Sequence, residues 1–140
     1  MSQALLAGLS RTTEPQVMLR RFLALDAVVT GANGLAYVAA PGPLGRLFGV
    51  DATLLLALGA FLVVYAAAVA GVASRRRPST AAVTAVVDAN ALWAVLSVVA
   101  LVAWLEPSTA GAVWIPAQAV TVAGFAALQW TSLRARGTGR

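Results

Sequence analysis

The sequence predicts an all-α membrane protein built as a bundle of four transmembrane helices. Apolar residues make up 60% of the 140-residue chain and charged residues only 11%, whereas about 25% of the residues of a soluble domain are charged. Apolar stretches long enough to cross a bilayer occur four times. The arginines lie at the ends of these stretches, as expected for residues that set membrane topology.

Breaks in the apolar pattern divide a single membrane domain, residues 1–140, into its spans. The first break is the segment PGPLG, the second is RRRP and the third is EPS; each contains a proline, which ends a helix. A bilayer core requires about 20 apolar residues per helix. The predicted spans therefore cover approximately residues 22–40, 52–73, 80–104 and 113–133.

The segments outside the spans are predicted to be short. Residues 1–21 form an N-terminal segment and residues 134–140 a tail. Thr13 followed by Gln16, with Pro15 between them, is typical of a helix N-terminus, so a short helix is expected to begin there. The loop PGPLGRLFGVD is predicted to be an interfacial connector in which Asp51 pairs with Arg46.

The positions of the arginines predict the orientation of the chain. All ten basic residues are arginines: three precede span one, three lie between spans two and three, three follow span four, and Arg46 remains on the other side. Positively charged loops stay in the cytoplasm, so both termini of a multi-pass protein of the bacterial cytoplasmic (inner) membrane are predicted to be cytoplasmic. The topology residues within this set are Arg20, Arg21, Arg75, Arg76, Arg77, Arg134 and Arg136.

The composition excludes several functional classes. The chain contains no Cys and no His, which removes thiolate and imidazole metal sites and bis-His haem, and no Lys, which removes Schiff-base chemistry. No nucleophile elbow or phosphate-binding loop is present. We therefore expect no enzyme activity, cofactor or metal. The net charge of +5 is explained by topology, so the expected partner is the lipid bilayer and not nucleic acid.

A polar stripe runs along the first span. At 100° per residue, Asp26, Thr30, Asn33 and Tyr37 fall on one face of the helix. An Asp raises the free energy of membrane insertion by roughly 2.5 to 3.5 kcal/mol at the centre of a helix, whereas each Leu, Val or Phe lowers it by only about 0.3 to 0.6 kcal/mol. The stripe is therefore predicted to face protein or water, not lipid.

The third span carries a second carboxylate, Asp88, with Asn90 and Trp93 on other faces of the same helix. A helix that is polar on two sides is expected to be covered on two sides, by its neighbours, a second subunit or another membrane protein. Gln129 of span four lies near the depth of Asp26. The candidate residues for a polar core or an ion or ligand path are Asp26, Thr30, Asn33, Tyr37, Asp88, Asn90, Trp93 and Gln129.

A weak internal similarity indicates two helical hairpins related as parallel repeats. The segment ANGL at residues 32–35 matches ANAL at residues 89–92, and the same offset of 57 carries Arg77 onto Arg134. A chance match in an alanine-rich chain is the alternative explanation.

The sequence is consistent with two functions. In a structural or accessory membrane protein, which we favour, the polar groups fasten the helices to one another. In the alternative, a small proton- or cation-coupled transporter or channel, Asp26 and Asp88 line a water-filled pathway. For Asp26, near the predicted cytoplasmic surface, the structural role is favoured, and for Asp88 both roles stay open.

The Asp, Thr and Asn set of span one and the segment NALW of span three resemble the small four-span hypothetical integral membrane proteins of high-GC bacteria. The resemblance extends over most of the chain. It implies a four-span fold and carries no activity. Small multidrug transporters share the size and the number of spans, but their first span carries a Glu where this chain has Asp26.

Overall fold

The chain folds into five helices and no strand over the residues that the structure describes. The structure is a computed structural model that describes the backbone of residues 3–138 and the side chains of residues 15–136. The helices are α1 (Gln3–Ala39), α2 (Pro41–Phe48), α3 (Ala52–Ala73), α4 (Thr80–Ala103) and α5 (Thr109–Thr138). The predicted all-α four-helix bundle is confirmed, and α2 is a short additional helix.

Four of these helices contain a segment long and apolar enough to cross a membrane, as the four predicted spans require. The segments are Pro15–Ala39, Ala52–Ala73, Thr80–Ala103 and Thr109–Arg136. One expectation at the N-terminus is wrong: α1 is already helical at Gln3, so no new helix begins near Thr13, whose side chain lies outside the described set. Residues 3–12 are mostly good helix formers, and Pro15 interrupts only a local part of the hydrogen-bond ladder.

The helices pack as two antiparallel pairs. Contacts between α1 and α3 are the most extensive, followed by those between α4 and α5, and the two pairs meet mainly where α1 touches α5. The backbones of α3 and α4 scarcely approach each other. The bundle therefore runs in the order α3, α1, α5, α4, with a gap between α3 and α4. We call the end with the α3–α4 turn the arginine end, and the opposite end the α2 end.

Glycines allow the close contact between α1 and α3. A Cβ atom on Gly34 would lie 2.9 Å from the carbonyl oxygen of Gly59, and a Cβ on Gly59 would lie 2.7 Å from the Cβ of Tyr37. Real Cβ atoms do not approach other atoms this closely, so the two backbones reach their observed separation only because both positions lack side chains.

At the α2 end, backbone contacts join the two connections between helices. Gly49, in the left-handed conformation with φ 68°, ends α2. The carbonyl of Phe48 accepts a hydrogen bond of 3.0 Å from Ser108 N–H in the α4–α5 turn. Asp51 caps the N-terminus of α3 by accepting from Thr53 N–H at 3.4 Å. This cap replaces the predicted pairing with Arg46, because no such ion pair forms in the part of the chain for which side chains are described.

At the arginine end, Arg136 near the C-terminus of α5 joins several helix ends through hydrogen bonds. Its Nη1 donates to the carbonyl of Pro78 at 2.6 Å and to Gln16 Oε1 at 3.1 Å, and its Nη2 donates to Thr80 Oγ1 at 3.3 Å. One guanidinium group thus connects α5 to α1, to the α3–α4 turn and to α4. Predicted topology arginines therefore also hold helix ends together.

The glycine contact gives a direct test of the α1–α3 packing. We expect Gly59→Ala to lower the thermal unfolding temperature of the purified protein, because the new methyl group meets Tyr37 and the Gly34 carbonyl. Gly71→Ala in the same helix is the matched control, since nothing lies within 4 Å of its Cβ position. Alanine there is expected to be neutral or mildly stabilising. Equal effects of the two substitutions would contradict the packing.

Candidate functional site

Asp26 is the centre of a hydrogen-bond network in the bundle interior. Its side chain is 0% exposed, and three donors converge on the carboxylate. Thr30 Oγ1 donates to Oδ1 at 2.9 Å, while Asn90 Nδ2 and Gln129 Nε2 donate to Oδ2 at 2.7 and 2.8 Å. The carboxylate is thus bound by α1, α4 and α5 together.

A second layer of hydrogen bonds fixes the groups that hold Asp26. Asn90 Nδ2 also donates to Gln129 Oε1 at 3.1 Å. Tyr65 of α3 shares its hydroxyl proton between Asn90 Oδ1 at 2.9 Å and the carbonyl of Val86 at 3.2 Å. The network therefore includes a side chain from each of the four long helices. Among the described side chains, no buried polar atom lacks a hydrogen-bond partner.

The local sequence explains how these groups meet. Asp26 and Thr30 are separated by four residues, one turn of α1, so their side chains lie side by side. Arg20 of α1 donates from Nε to the carbonyl of Ala73 at 3.1 Å and so is bound to the end of α3. Asp26 is therefore held by neutral donors.

A cavity of about 500 Å³ lies on the α2 side of this network and is lined by all four long helices. Its walls are mostly apolar, and no charged side chain lines it. The lining residues Phe61 on α3 and Leu92 on α4 are more than half exposed, so the cavity opens toward the membrane through the gap between these helices. A second space, of about 420 Å³, continues it toward the α2 end and shares Tyr37, Trp93 and Trp114 with it.

Aromatic rings form the walls of the cavity and are fixed by hydrogen bonds. Trp93 stacks on Phe61 with a centroid distance of 6.0 Å and donates from Nε1 to Gln118 Oε1 at 2.8 Å. Trp114 donates from Nε1 to the hydroxyl oxygen of Tyr37 at 2.7 Å. The Trp93–Phe61 stack bridges α3 and α4 where their backbones are far apart. The rings therefore have defined orientations.

Two polar groups on the cavity wall keep hydrogen-bonding capacity. Asn33 lines the cavity, and its amide makes no side-chain hydrogen bond to any described residue. The Tyr37 hydroxyl accepts from Trp114, but no acceptor for its proton lies among the described residues. These groups are separated by one turn of α1 and face the same space. They offer hydrogen bonds to a guest, whereas Asp26 offers none.

Asp88 lies apart from this site. Its side chain is exposed on α4, whereas Asn90, two residues further along, is buried with 3% exposure. The expectation that intramembrane acids turn inward thus holds for Asp26 and not for Asp88. Helix geometry explains the difference, because positions two residues apart point about 160° away from each other.

The structure brings most of the candidate residues into two adjacent groups. Asp26, Thr30, Asn90 and Gln129 form the network, and Asn33, Tyr37 and Trp93 line the cavity, leaving only Asp88 outside. Tyr65 is an additional network member outside the predicted set. The sequence does mark it, because its hydroxyl is the one side-chain hydrogen-bonding group in the apolar centre of span two.

The described residues do not form a metal site. No group of three acidic side chains with metal-binding geometry occurs among the described residues.

Comparisons with protein-family models, with curated proteins and with solved structures find no match to this chain. The fold and the composition together define the class: a small multi-pass membrane protein with four apolar helices.

The two intramembrane carboxylates provide a matched test of the network. We expect Asp26→Ala to lower the free energy of unfolding by at least about 3 kcal/mol, because three buried donors lose their acceptor. Asp88→Ala, a change of the same chemistry at an exposed site, is expected to leave that free energy unchanged or to raise it. Denaturant titration of both purified variants measures the difference. A larger loss for Asp88→Ala would contradict the assigned roles.

Proposed function

We propose that this protein is a structural or accessory membrane protein, a scaffold that holds a membrane-embedded partner and neither transports ions nor catalyses a reaction. The observation that carries the proposal is the complete enclosure of Asp26. Its carboxylate is 0% exposed and binds three internal donors, so the most polar group of the interior is used to fasten the helices. Buried polar networks of this kind specify how helices pack in a membrane.

The exposed face of α4 supports a binding role. Thr84 and Trp130 line the same cavity near the arginine end, and Asp88 lies one turn beyond Thr84 toward the middle of the bundle. Tryptophan is typical of the membrane interface, so Asp88 lies deeper than the interface level. A carboxylate facing lipid there is costly. This cost favours a second subunit or another membrane protein covering that face of α4.

The alternative function, a proton- or cation-coupled transporter or channel, is less well supported. If both acids took part in conduction, one polar path would have to connect Asp26 with Asp88. Asp26 lies in the sealed network, whereas Asp88 points away from it on α4. The cavity beside the network carries no charge on its walls, and an ion entering it would lose its hydration without compensation.

Ion flux distinguishes the two functions. We expect proteoliposomes containing the wild-type protein to show no proton or cation flux above that of empty liposomes, and the same result for Asp26→Asn and Asp88→Asn. Asparagine at position 26 keeps one oxygen for Asn90 and Gln129 and presents its NH₂ group to the Thr30 hydroxyl, so the bundle is expected to persist. A fluorescent pH indicator inside the liposomes gives the measurement, and a proton ionophore verifies its response.

Flux in the wild-type protein that disappears in Asp26→Asn or Asp88→Asn, with the fold intact by circular dichroism, would support the transporter instead. The isosteric substitutions are essential to this comparison. They remove a titratable proton without leaving the cavity that alanine would create.

We further propose that the arginine end faces the bacterial cytoplasm. The support is the charge distribution: within residues 3–138, eight of the nine arginines belong to segments at this end, and Arg46 belongs to α2. Arginine-rich loops of membrane proteins are retained on the cytoplasmic side.

Reporter fusions test this orientation. Green fluorescent protein fused after residue 140 is expected to be fluorescent, and alkaline phosphatase at the same position is expected to be inactive, because the C-terminus lies in the cytoplasm. Alkaline phosphatase fused after residue 50 or residue 106, each at the α2 end, is expected to be active. The opposite pattern of activities would reverse the proposed topology.

A further inference from the structure

The cavity between the four helices carries an inference beyond the scaffold role. We propose that it binds a neutral, lipid-soluble molecule with a planar ring and two carbonyl groups, the chemistry of a para-quinone, with the ring beside Asn33 and Tyr37. The proposal concerns binding alone. It can fail while the scaffold function stands, because the two are tested by separate measurements.

The absence of charge on the cavity wall selects a neutral guest. None of the lining side chains is an acid or an arginine, and a charged group in such a space would be neither hydrated nor paired. Asn33 lies about 18 Å along α1 from Arg21, well inside the hydrocarbon layer. The headgroup of a phospholipid cannot reach this depth while its acyl chains remain in the bilayer.

The unused hydrogen-bonding groups select carbonyl oxygens. The Asn33 amide supplies N–H donors and the Tyr37 hydroxyl supplies an O–H donor, and neither has an acceptor among the described residues. The two residues are one turn apart on α1, about 6 Å along the helix axis. A molecule with two carbonyl oxygens on one ring is able to accept a hydrogen bond from each of these two donors. An acyl chain would leave both donors unpaired, and an alcohol would satisfy only one.

The aromatic walls select a planar ring. Trp93 stacks parallel to Phe61 with an interplanar angle of 6°, and hydrogen bonds to Gln118 and Tyr37 fix the indoles of Trp93 and Trp114. Preorganised rings of this kind bind flat π systems by offset stacking. The volume of about 500 Å³ lies within the range of small-molecule sites.

The gap between α3 and α4 provides access from the membrane. Quinones of membranes carry a long apolar tail, and such a tail needs a lateral opening. Phe61 and Leu92 are lining residues that are more than half exposed on this side, so the tail would leave the cavity past the Trp93–Phe61 stack and remain among the lipid chains. The ring therefore enters from the bilayer, without crossing the Asp26 network.

Tryptophan fluorescence of the protein in lipid nanodiscs tests the proposal, with menadione as the probe. Menadione quenches indole emission, and we expect saturable quenching of the wild-type protein. Trp93→Phe is expected to remove most of the saturable component, whereas Trp130→Phe, outside the cavity and near the arginine end, keeps it. The hydrocarbon 2-methylnaphthalene, with the same ring skeleton and no carbonyl, is expected to compete at least about tenfold more weakly.

Substitutions that remove one donor at a time identify the contacts. Asn33→Leu and Tyr37→Phe are each expected to weaken menadione binding about fivefold. Asn33 makes no side-chain hydrogen bond to a described residue, so the leucine variant is expected to fold as the wild type does. Thr121→Val is the matched control: this threonine also lines the cavity, but its hydroxyl already donates to the carbonyl of Ala117 at 2.9 Å. Its affinity is expected to be unchanged.

Three results would overturn the proposal. Quenching that is linear in menadione concentration and equal in Trp93→Phe and Trp130→Phe means that menadione only partitions into lipid. Competition by 2-methylnaphthalene equal to that of menadione means that the cavity takes apolar molecules without recognising carbonyls. Wild-type affinity in both Asn33→Leu and Tyr37→Phe means that the donors on α1 do not contact the ring. Ion flux in the proteoliposomes would instead contradict the scaffold function.

Discussion

The cost of an unpaired carboxylate in hydrocarbon is the constraint on which this structure depends. Lipid supplies no hydrogen bonds, so Asp26 can lie inside the bundle only where other helices bring donors to it. Asn90 and Gln129 provide them, and Tyr65 in turn holds Asn90. Apolar residues pack against lipid as readily as against one another, so it is this network, together with the glycine contact of α1 and α3, that specifies one arrangement of four otherwise similar helices.

The network and the cavity differ in how their polar groups are used, and this difference separates structure from function. Every group around Asp26 has an internal partner, which makes that region a closed structural element. About two turns further along α1, Asn33 lines open space with an amide that makes no side-chain hydrogen bond to a described residue. Both residues belong to the same polar stripe of one helix. The same polar stripe can therefore stabilise the bundle at one depth and line a ligand-binding cavity at another.

The sequence was sufficient to predict the four helices, because apolar length and terminal arginines are local signals. The sequence placed Asp26 and Thr30 on one face of the first span and Gln129 near the depth of Asp26, but the contact of Asn90 with Asp26 depends on how α4 sits along α1. The outward position of Asp88 also follows from its angle to Asn90, but which of the two faces the interior depends on how α4 docks on α5. Tyr65 and the cavity depend in the same way on the gap between α3 and α4, and no local pattern in the chain reports the separation of two backbones.

The network joins residues that are far apart along the chain, and this has a consequence for biogenesis. The partners Asn90 and Gln129 follow Asp26 by 64 and 103 residues. At roughly 5–20 residues per second, Gln129 is synthesised about 5–20 s after Asp26. During that interval the first helix has left the ribosome, but Asp26 still lacks its donors from α4 and α5. The helix must therefore remain at the translocon or in the interfacial region. The bundle closes only when the last helix arrives.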